Sequence, residues 1–245
     1  MMIAHSAVTV FAARYDRALG RSEDGSHRHE GAIFFSGGTE VNWATADGHP
    51  ARERSVRVWM AVWPDAAMAR DHYDGRNALI PILTEAIETV AVLCHPYACH
   101  GQVNWSEDGL ALGLYPSLAP RPDGAAPIFV ITTIGIGDPE DGLVAFGQGV
   151  TAVRQAFAQN PAVVMDINSL TDDQRMDSPT LTLWRSERAM MDAAYRSEPH
   201  RTALKMRNGA LARASFTRMS IEAAEGSWAG VNIARAIEPE PKADV

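Results

Sequence analysis

Val58-Trp59-Met60-Ala61-Val62-Trp63 and Thr180-Leu181-Thr182-Leu183-Trp184 decide the fold, because each reads as a strand that ends in tryptophan and leads into a helix. The two tryptophans stand 121 residues apart. The helices that follow open with Ala67-Met68 and Ala189-Met190 and reach Tyr73 and Tyr195, 122 residues apart in both comparisons. Upstream, Ala7-Val8-Thr9-Val10-Phe11 and Ile128-Phe129-Val130-Ile131-Thr132 are β-branched runs displaced by 121. Ordered matches at one spacing point to a duplicated unit.

The second copy reads more clearly. Ile128 to Ile134 is a strand, and Leu143 to Gln159 is an amphipathic helix with Phe146, Val150, Val153 and Phe157 on one face. Ala162 to Ile167 and Thr180 to Trp184 are strands, helix resumes near Glu187, and Ser215 to Ser220 is a closing strand. The order βαββαβ is the ferredoxin-like unit. The first copy fits it more loosely, with polar insertions at Gly20 to Glu30 and Thr45 to Arg54. Between the copies, prolines 116, 120, 122 and 127 lie within twelve residues, a run that continues neither a helix nor a central strand. The expected fold is α+β: tandem ferredoxin-like repeats over 1–106 and 128–237, joined by a Pro/Gly-rich linker over 107–127 and forming an intramolecular αβ-barrel. A disordered tail is expected over 238–245.

With 245 residues, 46% of them apolar, the chain can bury a substantial core as an ordinary soluble globule. Thirty acidic against 22 basic residues give a net charge of −8, which argues against a nucleic-acid surface. No stretch has the length of a membrane span, Met1-Met2-Ile3-Ala4-His5 does not start a signal peptide, and the two cysteines, Cys94 and Cys99, read as reduced thiols. A cytoplasmic protein, monomer or homodimer, is expected.

Seven of the eight histidines fall in the first 100 residues. The eighth, His200, follows Ser197-Glu198-Pro199, a helix N-cap, an acidic residue and a proline suited to the first turn. Leu204, Arg207 and Leu211 continue its face, and the positive end of the helix dipole favours the neutral imidazole that a metal needs. A structural histidine bonded to backbone fits the same pattern. Cys94-His95-Pro96-Tyr97-Ala98-Cys99-His100 lacks the spacing of a zinc ribbon or of covalent haem attachment and reads as strand and turn with half-buried cysteines. His27-Arg28-His29 reads as solvated loop. Gly135-Ile136-Gly137 lacks the third glycine of a dinucleotide site, since position 140 is Glu.

Leu181-Thr182-Leu183-Trp184-Arg185-Ser186, Ala189-Met190, Ala194-Tyr195-Arg196-Ser197 and His200-Arg201 together resemble the spheroidene monooxygenase family. Phe216-Thr217-Arg218-Met219 and Gly226-Ser227-Trp228-Ala229-Gly230 extend the likeness, which runs from about 128 to 230. The family is haem-dependent, oxygenates carotenoids and belongs to the dimeric αβ-barrel group. More distantly, the Trp strand, helix and histidine turn resemble aldoxime dehydratases and haem-degrading monooxygenases, whose iron is held by a histidine on the corresponding helix. The resemblance implies haem b bound through His200, with Arg201, Arg207 or Arg196 pairing its propionates and Trp184 and Tyr195 packing in its pocket. Position 78 of the first copy, the counterpart of His200, is alanine. It implies oxygenation of an apolar or small organic substrate, with electrons from an external reductase or ferredoxin. The chain departs from the family at Asn208-Gly209-Ala210-Leu211, where the family carries an aromatic pair. Two other readings remain open: a haem Lewis-acid enzyme acting on an N–O bond, and a cofactor-free αβ-barrel that only binds.

Overall fold

The computed structural model describes residues 6–20, 29–45, 50–101, 118–136, 143–172, 177–196 and 211–238. Strands β1 (Ala7–Arg14), β2 (Phe34–Asn42) and β3 (Ala51–Trp63) lead into helix α1 (Ala66–Leu79), a 3-10 turn at Pro81–Glu85 and β4 (Glu88–Gly101). The second half runs β5 (Ile128–Ile136), α2 (Leu143–Ala158), β6 (Val163–Thr171), β7 (Asp177–Trp184), α3 (Glu187–Arg196) and β8 (Leu211–Trp228). A two-residue strand, β9 (Val231–Asn232), and a short helix, α4 (Ile233–Ala236), follow.

All pairings are antiparallel, in the order β4-β1-β3-β2-β6-β7-β5-β8, and β8 pairs back onto β4. Eight strands therefore close into a barrel, with α1, α2 and α3 outside it. Alternation fixes which side chains face inward. Val8, Val10, Val58, Met60, Phe129 and Leu183 belong to one buried cluster inside the barrel, and Ile233 and Ala236 of α4 join it. Phe11, Trp59 and Trp63, one residue out of phase, pack outward with Ala69 and Tyr73 of α1. Within each half the strand order is the same, and the central strand pairs, β1 with β3 and β5 with β7, share one register. Ala7 pairs with Trp63 and Phe11 with Trp59, while Ile128 pairs with Trp184 and Thr132 with Thr180, both members displaced by 121.

The two seams between the halves differ. β4 and β8 pair from Val90–Gly226 to Gly101–Ser215, with two register shifts. Gly226 is required there, since its φ is +98° and a Cβ would run into the Thr89 carbonyl. β2 and β6 share only Gly38–Thr171, Thr39–Leu170 and Glu40–Ser169. A Cβ on Gly38 would stand 2.7 Å from the Leu170 carbonyl oxygen. Arg52 reinforces this short seam, donating to the carbonyls of Leu170 and Thr171 at 3.0 and 2.7 Å, and Arg57 reaches Asp172 at 2.6 Å.

Three sequence expectations change. Ala51 to Arg54 is strand rather than insertion, because Arg52 finds its partners across the seam. Cys94 to His100 holds no turn. It continues β4, with a register shift at Pro96/Ala98 that accommodates the missing N–H, and Cys94 is fully buried while Cys99 is partly so. His29 is not solvated: its ring stands against Phe35 and His72 at centroid distances of 5.2 and 4.4 Å. His27 and Arg28, most of the linker and the tail from 239 lie outside the described residues. No described helix is long and apolar enough to cross a membrane.

A candidate ligand cavity in the second half

Strand faces that pack under helices are ordinarily apolar, and the outer face of the first half obeys that rule. Phe11, Trp59 and Phe35 cover it, and α1 lays His72 and Tyr73 across them. His72 is 3% exposed. The Trp63 indole donates to the Thr9 hydroxyl at 2.9 Å, and that hydroxyl lies 2.9 Å from His72 Nδ1. Burial, helped by neighbouring His29, pushes the His72 pKa down to about 3. His72 is thus neutral in the folded protein at pH values where the unfolded chain binds a proton. Stability should be flat above pH 6.5 and fall between about 6.5 and 3, by about 1.4 kcal/mol per pH unit for this group. Urea unfolding from pH 7 to pH 4.5 measures the slope, which His72→Phe should reduce by about one proton.

At the same register the second half carries small and polar residues. Thr132 replaces Phe11, Thr180 replaces Trp59, and Thr182 replaces Ala61. Across the sheet, Asp166 and Asn168 face Thr182 and Thr180, where the first half pairs Phe35 and Gly37 with Ala61 and Trp59. On the helix, Ala194 occupies the place of His72. The volume so vacated is a cavity of about 380 Å³ between α2, α3 and the sheet. This size lies within the ordinary range for small-molecule sites. Val150, Val153 and Phe157 of α2 form one wall, with Val130, Trp184 and Phe216 among the residues opposite. The stripe Phe146, Val150, Val153, Phe157 therefore lies on one face, as its spacing requires, but much of that face borders space.

Polar groups punctuate these walls. Arg154 on α2 donates from Nε to Asp166 Oδ2 at 3.0 Å and from Nη2 to Glu40 Oε1 at 3.1 Å. Burial raises the pKa of Asp166 and of Glu40 despite Arg154, and the two carboxylates hold Arg154 above its usual value against its own burial. The Thr180 hydroxyl donates to Asn168 Oδ1 at 2.5 Å, and the Trp184 indole donates to Thr182 at 2.8 Å. Asp166 Oδ1 and Asn168 Nδ2 are buried without a partner.

A second polar group anchors α3 beside the cavity. Glu187, 2% exposed, accepts from Arg218 Nη1 at 2.6 Å and from Arg121 Nε and Nη2 at 3.1 and 3.0 Å. His100, which lines the cavity, has its Nε2 3.4 Å from Arg218 Nη2, and the Arg218 guanidinium lies 5.7 Å from the centre of the Tyr97 ring.

Of the residues singled out by sequence, Trp184 is buried in the cavity wall. Tyr195 lies on α3 next to wall residue Ala194, and its side chain is outside the described set. Arg196 is exposed and pairs with Asp192 at 3.1 Å. His200, Arg201 and Arg207 lie outside the described residues. Among the described residues no three His, Cys, Asp or Glu side chains converge as a metal site. Arg154, Asp166 and Asn168 are not among the residues singled out by sequence, and His100 falls in the stretch expected to be strand and turn. A signal was present, since Val163-Val164-Met165-Asp166-Ile167-Asn168 puts two polar residues on the strand face that an apolar helix must cover.

No family profile matches the sequence, and no curated protein matches it. Solved structures do. An aldoxime dehydratase is 9% identical, with 98% of this chain and 90% of that one covered, at a TM-score of 0.57. A second aldoxime dehydratase, crystallised with butyraldoxime, is 8% identical over 89% of this chain and 80% of its own, at 0.54. A protein of Lactobacillus acidophilus named provisionally as a monooxygenase is 10% identical over 90% and 95%, at a looser 0.38. What the chain shares with the two dehydratases is a fold, the eight-stranded antiparallel barrel flanked by helices.

Proposed function

We propose that the chain is a haem-dependent monooxygenase that oxygenates an apolar or small organic substrate, with haem b in the second-half cavity and His200 as the residue that would hold its iron. The observation that carries this reading is the contrast between the two outer faces, one packed with Phe11, Trp59 and His72, the other opened by Thr132, Thr180 and Ala194. Val130, Val150, Val153 and Phe216 give the cavity the apolar lining that a macrocycle needs, while the iron donor, His200, comes from the resemblance alone. The resemblance over 128–230 supports haem, and supports Arg201, Arg207 or Arg196 for its propionates. It also supports tandem ferredoxin-like repeats over 1–106 and 128–237, as do the equal strand orders of the halves and the shared register of their central strand pairs.

Haem would supply the redox chemistry, with electrons from a separate reductase or ferredoxin. The chain's own residues do the rest. The α2 and sheet side chains hold the substrate's apolar part away from water. Asp166, tied to Arg154, offers a carboxylate oxygen able to hold a proton. Arg218 and Glu187 fix α3, which supplies wall residues Met190 and Ala194.

Expression with haem precursor should give a protein with a Soret band, and His200→Ala should shift or abolish it. Colourless wild-type protein, or an unchanged band in the variant, refutes the assignment. Asp166 and Arg154 also favour a second reading, redox-neutral aldoxime dehydration, which moves protons and no net electrons. Anaerobic turnover of an aldoxime by the ferrous protein would establish that reading, and substrate-dependent oxygen consumption the monooxygenase.

A further inference from the structure

Buried polar atoms are almost always hydrogen-bonded, and each one left without a partner costs about 1–3 kcal/mol. Asp166 and Asn168 present two such atoms on one strand face, two residues apart on β6, and both residues wall the cavity. Their other atoms are committed: Asp166 Oδ2 to Arg154, Asn168 Oδ1 to Thr180. What remains is one acceptor, Oδ1, and one donor group, Nδ2, on residues two apart along β6. Asn168 is only 2% exposed, so a partner from the cavity reaches its Nδ2 through a small shift of the side chain. Elsewhere the walls are mainly apolar, with Thr132, Thr182 and His100 set among the apolar residues. At the matching positions of β2 the first half carries Phe35 and Gly37.

We propose that Asp166 and Asn168 clamp the head of a ligand that has an apolar tail and whose head donates one hydrogen bond and accepts another through neighbouring atoms. A primary carboxamide is the simplest such head: its N–H donates to Asp166 Oδ1 and its carbonyl accepts from Asn168 Nδ2. An ester of the same length has no donor and leaves Asp166 unpaired. The inference rests on the cavity being the ligand site and is independent of haem.

The test is calorimetric titration of the full-length protein, as purified and after haem loading, with octanamide and with methyl octanoate. The amide should bind at least tenfold more tightly. Asn168→Leu should remove most of that preference. Asp166→Asn should abolish or reverse it, because Arg154 keeps the new amide's oxygen on its own side and turns an N–H toward the cavity. Equal binding of the two probes by wild-type protein, no binding of either, or an unchanged preference in the folded variants overturns the proposal. Should a variant fail to fold, the wild-type comparison decides alone. A Soret titration on the same samples reads haem separately, so amide preference without haem uptake would sink the haem assignment and leave the clamp standing.

Discussion

Glu187→Ala is expected to cost about 3–5 kcal/mol of folding stability, the range found when one partner of a buried ion pair is removed. The cost comes from what stays behind. Arg218 is buried, its Nη1 loses the carboxylate at 2.6 Å, and its Nε already has no hydrogen-bond partner. Arg121 adds little, because its own side chain is largely exposed. Glu187 also stands in the first turn of α3, where a carboxylate suits the helix dipole. Against a typical total of about 5–15 kcal/mol, the loss should be plain in urea unfolding. The double variant Glu187→Leu with Arg218→Met should recover most of it, since the cost lies in an uncompensated charge. A Glu187→Ala protein within 1 kcal/mol of wild type would mean that Arg218 finds another anion or water.

Thr180→Trp should leave the fold intact and weaken binding of any cavity ligand, haem included, by a hundredfold or more. It installs in the open half the residue that fills the packed one, at the same register, where Trp59 is 1% exposed. Burying an indole of 150–250 Å² is worth about 4–6 kcal/mol. Losing the Thr180 hydroxyl, which donates to Asn168, costs about 1–3 kcal/mol. The melting temperature should therefore hold or rise while ligand titrations fail. Undiminished haem or octanamide binding in a folded Thr180→Trp protein would place the ligand elsewhere.

Periodicity revealed most of the second half. The starts of α2 and α3 and the order β5, α2, β6, β7, α3, β8 follow from apolar spacing and turn residues. Strand length was less legible. β4 and β8 run beyond their apolar segments because each is the other's partner along the long seam, a fact of pairing rather than of local sequence. Ala51 to Arg54 looked like insertion for the same reason, as the carbonyls that satisfy Arg52 lie about 120 residues away. The site was half legible. An apolar stripe such as Phe146, Val150, Val153, Phe157 states that a face is shielded from water and leaves open whether side chains or a ligand shield it. Only the comparison of Trp59 with Thr180, Phe11 with Thr132 and His72 with Ala194 separates the two cases, and it needs the register.

Because a single chain closes all eight strands, the two sides of the barrel are free to diverge. A barrel assembled from two identical subunits must repeat every substitution on both sides, so a residue that opens one face opens both, and its integrity depends on concentration. Here one face is packed solid and the other encloses a cavity. Dilution cannot take such a barrel apart, and among the described residues the cavity opens on one face and not on its packed counterpart.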